Sequence, residues 1–124
     1  MLENLENIIF YEKENKEKPV EDFLDSLPDK HRAKAISELE LLSKFGTELQ
    51  KTIYAEAIKR KDYKGLWELR IKFASDISRI LYFMPIRNQF VLLHGFVKKT
   101  QKTPEKELKT AFKNMEDYRR RFLK

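Results

Sequence analysis

The sequence predicts an α+β domain, and three observations carry that prediction. Residues 66–73 alternate with period two, two further β-like runs follow across short turns, and residues 19–45 and 104–122 repeat apolar side chains at helical spacing. Consecutive strands joined this tightly must run antiparallel. A meander flanked by segregated helices is the α+β pattern. The expected order is an N-terminal strand, a helical hairpin, a three-strand meander and a C-terminal helix, all in a single domain over residues 1–124.

Ile8-Ile9-Phe10-Tyr11 is the first strand, and the charged stretch from Glu12 to Lys18 is a loop. Pro19 suits the first turn of a helix, since its missing N–H has no partner there. Val20, Phe23, Leu24 and Leu27 then share one face. Pro28-Asp29 opens a second helix, from about Lys30 to Phe45, with Ala33, Ile36, Leu39 and Phe45 on its apolar side and Gly46 as its stop. Ile53, Tyr54, Ala57 and Ile58 predict a short helix, followed by an exposed basic loop holding Lys59, Arg60, Lys61 and Lys64 against Asp62.

Trp67, Leu69, Ile71 and Phe73 form the apolar side of a half-buried strand, with Glu68, Arg70 and Lys72 on its other side. Ala74-Ser75-Asp76 is a turn. Ile77–Met84 is apolar on both faces apart from Ser78 and Arg79, which predicts a central strand. Pro85-Ile86-Arg87-Asn88 turns the chain into a last strand over Gln89–Lys98. Pro104, placed at the first helical position, opens a helix striped by Leu108, Ala111, Phe112, Met115, Tyr118 and Phe122.

Composition removes several classes of chemistry. There is no cysteine, so thiolate metal sites, disulfides and cysteine nucleophiles are excluded. Two histidines are too few for a histidine-based metal cluster, and three scattered glycines write neither a dinucleotide-binding fingerprint nor a Walker loop. The longest apolar run, Ile80 to Ile86, is far short of the roughly 20 residues that span a bilayer. The start of the chain has no basic leader. A cytoplasmic protein without membrane contact, metal or cofactor is the expectation.

Residues 98–124 carry ten Lys/Arg against four acids, which accounts for the whole net charge of +6. A polyanion or an acidic protein surface is the natural partner of such a half. Residues two apart on a strand sit about 6.5–7 Å apart on one face, close to the spacing of phosphates along extended RNA. Arg70 and Lys72 on one strand, Arg79 on the next and Lys98-Lys99 leaving the third are expected to converge on one phosphate-binding face.

Gly65-Leu66-Trp67-Glu68-Leu69-Arg70, Ser78-Arg79-Ile80-Leu81-Tyr82 and the segment from Leu92 to Pro104 together resemble the RelE/HigB superfamily of bacterial toxin ribonucleases, in its HigB-like, phage-related branch. The resemblance covers nearly the whole chain. It implies the toxin of a type II toxin–antitoxin pair that enters the ribosomal A site and cuts mRNA, causing growth arrest. It also implies a helix-turn-helix, HigA-like antitoxin as partner, with DNA contacted only through that complex. By the same resemblance Arg79 is the catalytic arginine, Arg70 an RNA-contacting position and Lys98 or Lys99 the basic position ending the last strand. The reaction needs no metal: a ribose 2′-OH attacks the adjacent phosphate, and each preorganised guanidinium stabilises the transition state by roughly 3–4 kcal/mol. The C-terminal Tyr or His of family members has no counterpart between Thr100 and Glu107, so the proton-transfer group stays open among Glu68, Lys72, His94 and Tyr63. Lys72, Lys59, Arg60, Lys61, Lys64 and Lys102 are the expected RNA- or ribosome-binding cations.

Plainer readings stand beside these. Arg79 pairs structurally with Glu68, Arg70 and Lys72 form the wet side of a strand, and His94 is packed and hydrogen-bonded to backbone. Trp67 is core, and Arg119-Arg120-Arg121 complements a helix dipole. The rival function is a non-catalytic module that binds RNA or an acidic protein. A DNA-binding regulator fits less well, because no helix-turn-helix pattern appears.

Overall fold

The computed structural model describes residues 5–51, 55–98 and 102–123. Its elements are β1 (Ile8–Phe10), α1 (Pro19–Ser26), α2 (Asp29–Phe45), a 3₁₀ turn (Gly46–Lys51), β2 (Ala55–Ala57), a second 3₁₀ turn (Lys61–Tyr63), β3 (Trp67–Phe73), β4 (Asp76–Phe83), β5 (Phe90–Lys98) and α3 (Glu105–Phe122). This is the expected α+β order. The sheet has five strands in the order β1-β5-β4-β3-β2, with β1 parallel to β5 and every other pair antiparallel.

Both faces of the sheet are covered, which explains why β4 is apolar on both sides. On one face α1 and α2 bury Val20, Leu24, Ala35, Leu39 and Leu42 against Leu69, Ile71, Ile80, Tyr82, Phe90 and Leu92. On the other, α3 lays Leu108, Ala111 and Met115 on Leu81, Phe83, Val91 and Leu93. Gly95 faces the first layer, where α1 comes so close that an added Cβ would lie 2.8 Å from Phe23 Cγ.

A bulge in β5 adjusts the second face. His94 pairs with Leu81 and Leu92 with Tyr82, leaving Leu93 as the extra residue. Its carbonyl would lack a ladder partner, and Asn114 of α3 supplies one, donating from Nδ2 at 2.9 Å. His31 and Ser78, both buried, join α2 to β4 through a 2.7 Å hydrogen bond, and the His31 ring stacks on Phe73.

Four expectations are corrected. The buried side of α2 runs through His31, Ala35, Ile36, Leu39 and Leu42, and Ala33 and Phe45 are exposed. Ala57 belongs to a short edge strand rather than a helix: Ala55, Glu56 and Ala57 pair with Leu69, Glu68 and Trp67. Ile58 extends this pairing, its N–H donating to the Leu66 carbonyl, while Ile53 and Tyr54 lie outside the described residues. Pro104 is the extended residue preceding α3 rather than its first helical residue. Finally, the Glu68–Arg70–Lys72 side of β3 is not an open face, because the residues entering α3 roof part of it, Thr103 donating to the buried Glu68.

Candidate functional site

On β3 the period-two pattern places Glu68, Arg70 and Lys72 on the α3 side of the sheet. The roof is incomplete there. Between β2, β3, the 58–60 segment and the residues entering α3 lies a cleft of about 200 Å³, walled by Glu56, Lys59, Arg60, Arg70, Lys102 and Thr103, with Glu68 at its base.

Glu68 organises the cleft. It is 4% exposed, and its Oε1 accepts from Arg79 Nη1 while its Oε2 accepts from Thr103 Oγ1 at 2.6 Å. Arg70 stands beside it, with Nε 3.5 Å from Glu68 Oε1, and donates through Nη2 to Glu56 Oε2. Register explains the grouping: Glu56 is opposite Glu68, and Arg70 is opposite Arg79. Two carboxylates and two guanidiniums therefore alternate across three strands. Burial is the main influence on Arg79 and lowers its pKa, and Glu68 opposes that shift.

The outer wall is tied to α3. Arg60 Nη2 and Tyr63 O–H both donate to Glu105, at 2.9 and 3.1 Å, and the Arg60 guanidinium lies over the Tyr63 ring. The hydrogen bond from Arg60, followed by that from Tyr63, holds the Glu105 carboxyl below its ordinary pKa.

The structure therefore sorts the predicted residues. Arg70 lines the cleft with its side chain 38% exposed, joined by Lys59, Arg60 and Lys102. Arg79 shares their side of the sheet but is 3% exposed, so the expectation of an arginine open to phosphate is corrected. The reason is local: a central strand covered on both faces leaves a guanidinium no route to solvent, and Glu68 compensates its charge. Glu68, offered as an acid or base, has both oxygens already accepting hydrogen bonds. Lys72 is exposed but lies beyond the cleft, opposite Ile77. Lys61 and Lys64 are exposed outside the cleft lining. His94 is separated from Glu68 by Leu81 in the sheet register and shares a 2.7 Å hydrogen bond with the Glu107 carboxylate, not the backbone partner expected. Lys98 ends β5 opposite Ile77, and Lys99 lies outside the described residues.

Glu56, Thr103 and Glu105 were not legible as site residues. Glu56 sits in a three-residue strand without β-branched residues, and only the docking of α3 brings Thr103 to the cleft and Glu105 to Arg60 behind its wall. A larger concavity lies elsewhere: an open groove of about 890 Å³ between residues 11–15 and α3. Its cations Lys13, Lys113 and Arg120 are balanced by Glu14, Glu116 and Asp117, so it lacks the guanidinium cluster of the smaller cleft. Among the described residues no helix is long and apolar enough to cross a membrane.

Fold and cleft define a small basic α+β domain with a guanidinium–carboxylate cluster near the edge of a mixed sheet. The family model of the phage-derived Gp49-like proteins (DUF891) matches residues 22–116, and the chain belongs to that family, which is associated with the toxins of toxin–antitoxin pairs. No curated protein matches the chain.

Proposed function

We propose that the chain is the toxin of a type II toxin–antitoxin pair, acting in the cytoplasm as a ribosome-dependent endoribonuclease that cuts mRNA. A helix-turn-helix antitoxin is its neutralising partner in this reading. The observation that carries it is the Arg70–Glu68–Arg79 cluster at a cleft rimmed by Lys59, Arg60 and Lys102. Family membership and the basic C-terminal half support it further.

In this mechanism the strand's 2′-oxygen attacks the adjacent phosphorus. The O2′–P bond forms and the P–O5′ bond breaks, the O2′ proton passes to solvent and O5′ takes one up, and the products are a cyclic phosphate and a 5′-hydroxyl. Negative charge grows on the phosphate oxygens, and Arg70 is the guanidinium placed to receive it. Arg79 acts as a positioning residue: it neutralises Glu68, which stands against Arg70 Nε and keeps that side chain aimed. Glu68 is pinned and His94 is set apart, so neither of these two serves as a free acid or base in the cleft. That suits an enzyme whose substrate is oriented by the ribosome.

The test is primer extension on mRNA in a translating extract, comparing the wild type with Arg70→Ala. New 5′ ends are expected with the wild type, and a loss of about 10²–10³-fold in their rate with the variant. Translation arrest without new 5′ ends identifies instead a non-catalytic binder of RNA or of an acidic protein. Cleavage undiminished in the variant removes Arg70 from the site.

A further inference from the structure

Glu56 and Glu68 are direct partners across β2 and β3. Like charges facing each other in a sheet destabilise it unless a cation intervenes, and here Arg70 does, donating to Glu56 and lying beside Glu68. The two carboxylates are held very differently. Glu68 is buried between Arg79 and Thr103, whereas the Glu56 side chain is 44% exposed on an edge strand of three residues. Glu56 can swing away without opening the core; Glu68 cannot.

We propose that Glu56 is a built-in anion that occupies the arm of Arg70 on which an RNA phosphate is seated, so that RNA binds by displacing it. This rests on Arg70 being a phosphate ligand, as argued above. The guanidinium fork accepts a carboxylate or a phosphodiester with the same planar geometry. Exchange therefore replaces one anion by another while Glu68 keeps Arg70 in place. The displaced carboxylate stays in the cleft wall and repels the incoming strand. Free RNA, which must be ordered as well as exchanged, is held weakly; a strand already ordered by a larger assembly has only the exchange to accomplish. Glu56 thereby lowers the affinity for any RNA, and free RNA, which also bears the ordering cost, is the one left unbound.

The experiment is fluorescence anisotropy at low salt with a short single-stranded RNA carrying 2′-O-methyl groups, which cannot be cleaved. Glu56→Gln, Arg70→Ala, their combination and Glu40→Gln are compared with the wild type. Glu40 is exposed on α2, remote from the cleft, and controls for net charge. Glu56→Gln is expected to bind about tenfold tighter and Glu40→Gln less than about twofold tighter, with the Glu56 gain absent when Arg70 is alanine. Glu56→Ala, which also removes the anion, gives the same gain if the proposal holds. Binding by Glu56→Gln no tighter than by Glu40→Gln, or a gain that persists without Arg70, overturns the proposal, while weaker binding by Arg70→Ala alone keeps Arg70 as a phosphate ligand. Wild-type affinity in Arg70→Ala overturns both.

Discussion

Glu68 and Arg79 form an ion pair set two residues off the sheet register: Arg79 lies opposite Arg70, Glu68 opposite Leu81, and the pair closes diagonally on the α3 side of the sheet. Both residues are nearly sealed from solvent. Removing one member strands the other's charge in a dry setting, which typically costs about 3–5 kcal/mol, whereas replacing both by apolar groups of similar volume is often neutral. Arg79→Ala is therefore expected to lose stability on that scale in urea denaturation, and Arg79→Met combined with Glu68→Leu to recover most of it. A functional loss in Arg79→Ala would follow from unfolding, so function is tested at the partly exposed Arg70, in a variant whose urea melt shows it folded. A single Arg79→Ala variant as stable as the wild type contradicts the pairing.

Much of this arrangement was written in the sequence, and the limits are physical. The alternation Trp67, Leu69, Ile71, Phe73 names one face of β3 because side chains on a strand change sides at every residue. The stripe Leu108, Ala111, Met115 names the buried side of α3. Neither says which sheet face α3 covers. A clue was present, though: a β4 apolar on both faces must be covered on both faces, and Arg79 within it must then be buried and paired. The Glu56–Glu68 pairing had no such clue, since it depends on a short edge strand held in place by tertiary contacts. Parallel pairing of β1 with β5 joins segments some eighty residues apart and leaves no local trace.

The exposed cations around the cleft give a second prediction. Lys59, Lys61 and Lys64 lie on the segment that leads from β2 to β3. Each one that contacts a phosphate of single-stranded RNA contributes about 0.7 to the slope of log affinity against log salt. Replacing all three by glutamine is expected to weaken RNA binding uniformly across sequences and to lower that slope by up to about 2. The melting temperature is expected to stay near that of the wild type, because exposed side chains are replaced. Anisotropy titrations over a range of salt concentrations check this, and an unchanged slope assigns the segment to solvent.

Gly95 is fixed by α1 rather than by backbone torsion. The Phe23 ring occupies the space a Cβ would need. Gly95→Ala is expected to cost about 1–3 kcal/mol through overpacking. Phe23→Leu should restore part of that loss in the Gly95→Ala background while destabilising the wild type. A double-mutant cycle from urea melts measures the coupling; additive effects would place the ring elsewhere.

Tyr11 fastens the end of β1 to α3. Its hydroxyl donates to Asp117 Oδ2 at 2.6 Å, and Arg121 donates to the same oxygen and to the Glu12 carbonyl. Burial first, then the bond to Asp117, pushes the phenol from 10.0 up to about 12. Folding thus favours the neutral phenol, and the associated stabilisation is complete below pH 10 and fades as the pH climbs towards 12. It amounts to at most about 2–3 kcal/mol. Asp117 shifts the opposite way, its carboxyl lowered chiefly by the Tyr11 hydrogen bond, so its contribution is present above pH 3.8 and is lost as the pH falls through its folded value. Tyr11→Phe removes the first effect and the largest share of the second, the bonds from Arg121 to Asp117 remaining. Its stability deficit relative to the wild type should be constant between about pH 6 and 9, shrink on the alkaline side and shrink again below about pH 4. Urea denaturation across that range measures the difference, and a deficit independent of pH would show that the hydroxyl does not bond to Asp117.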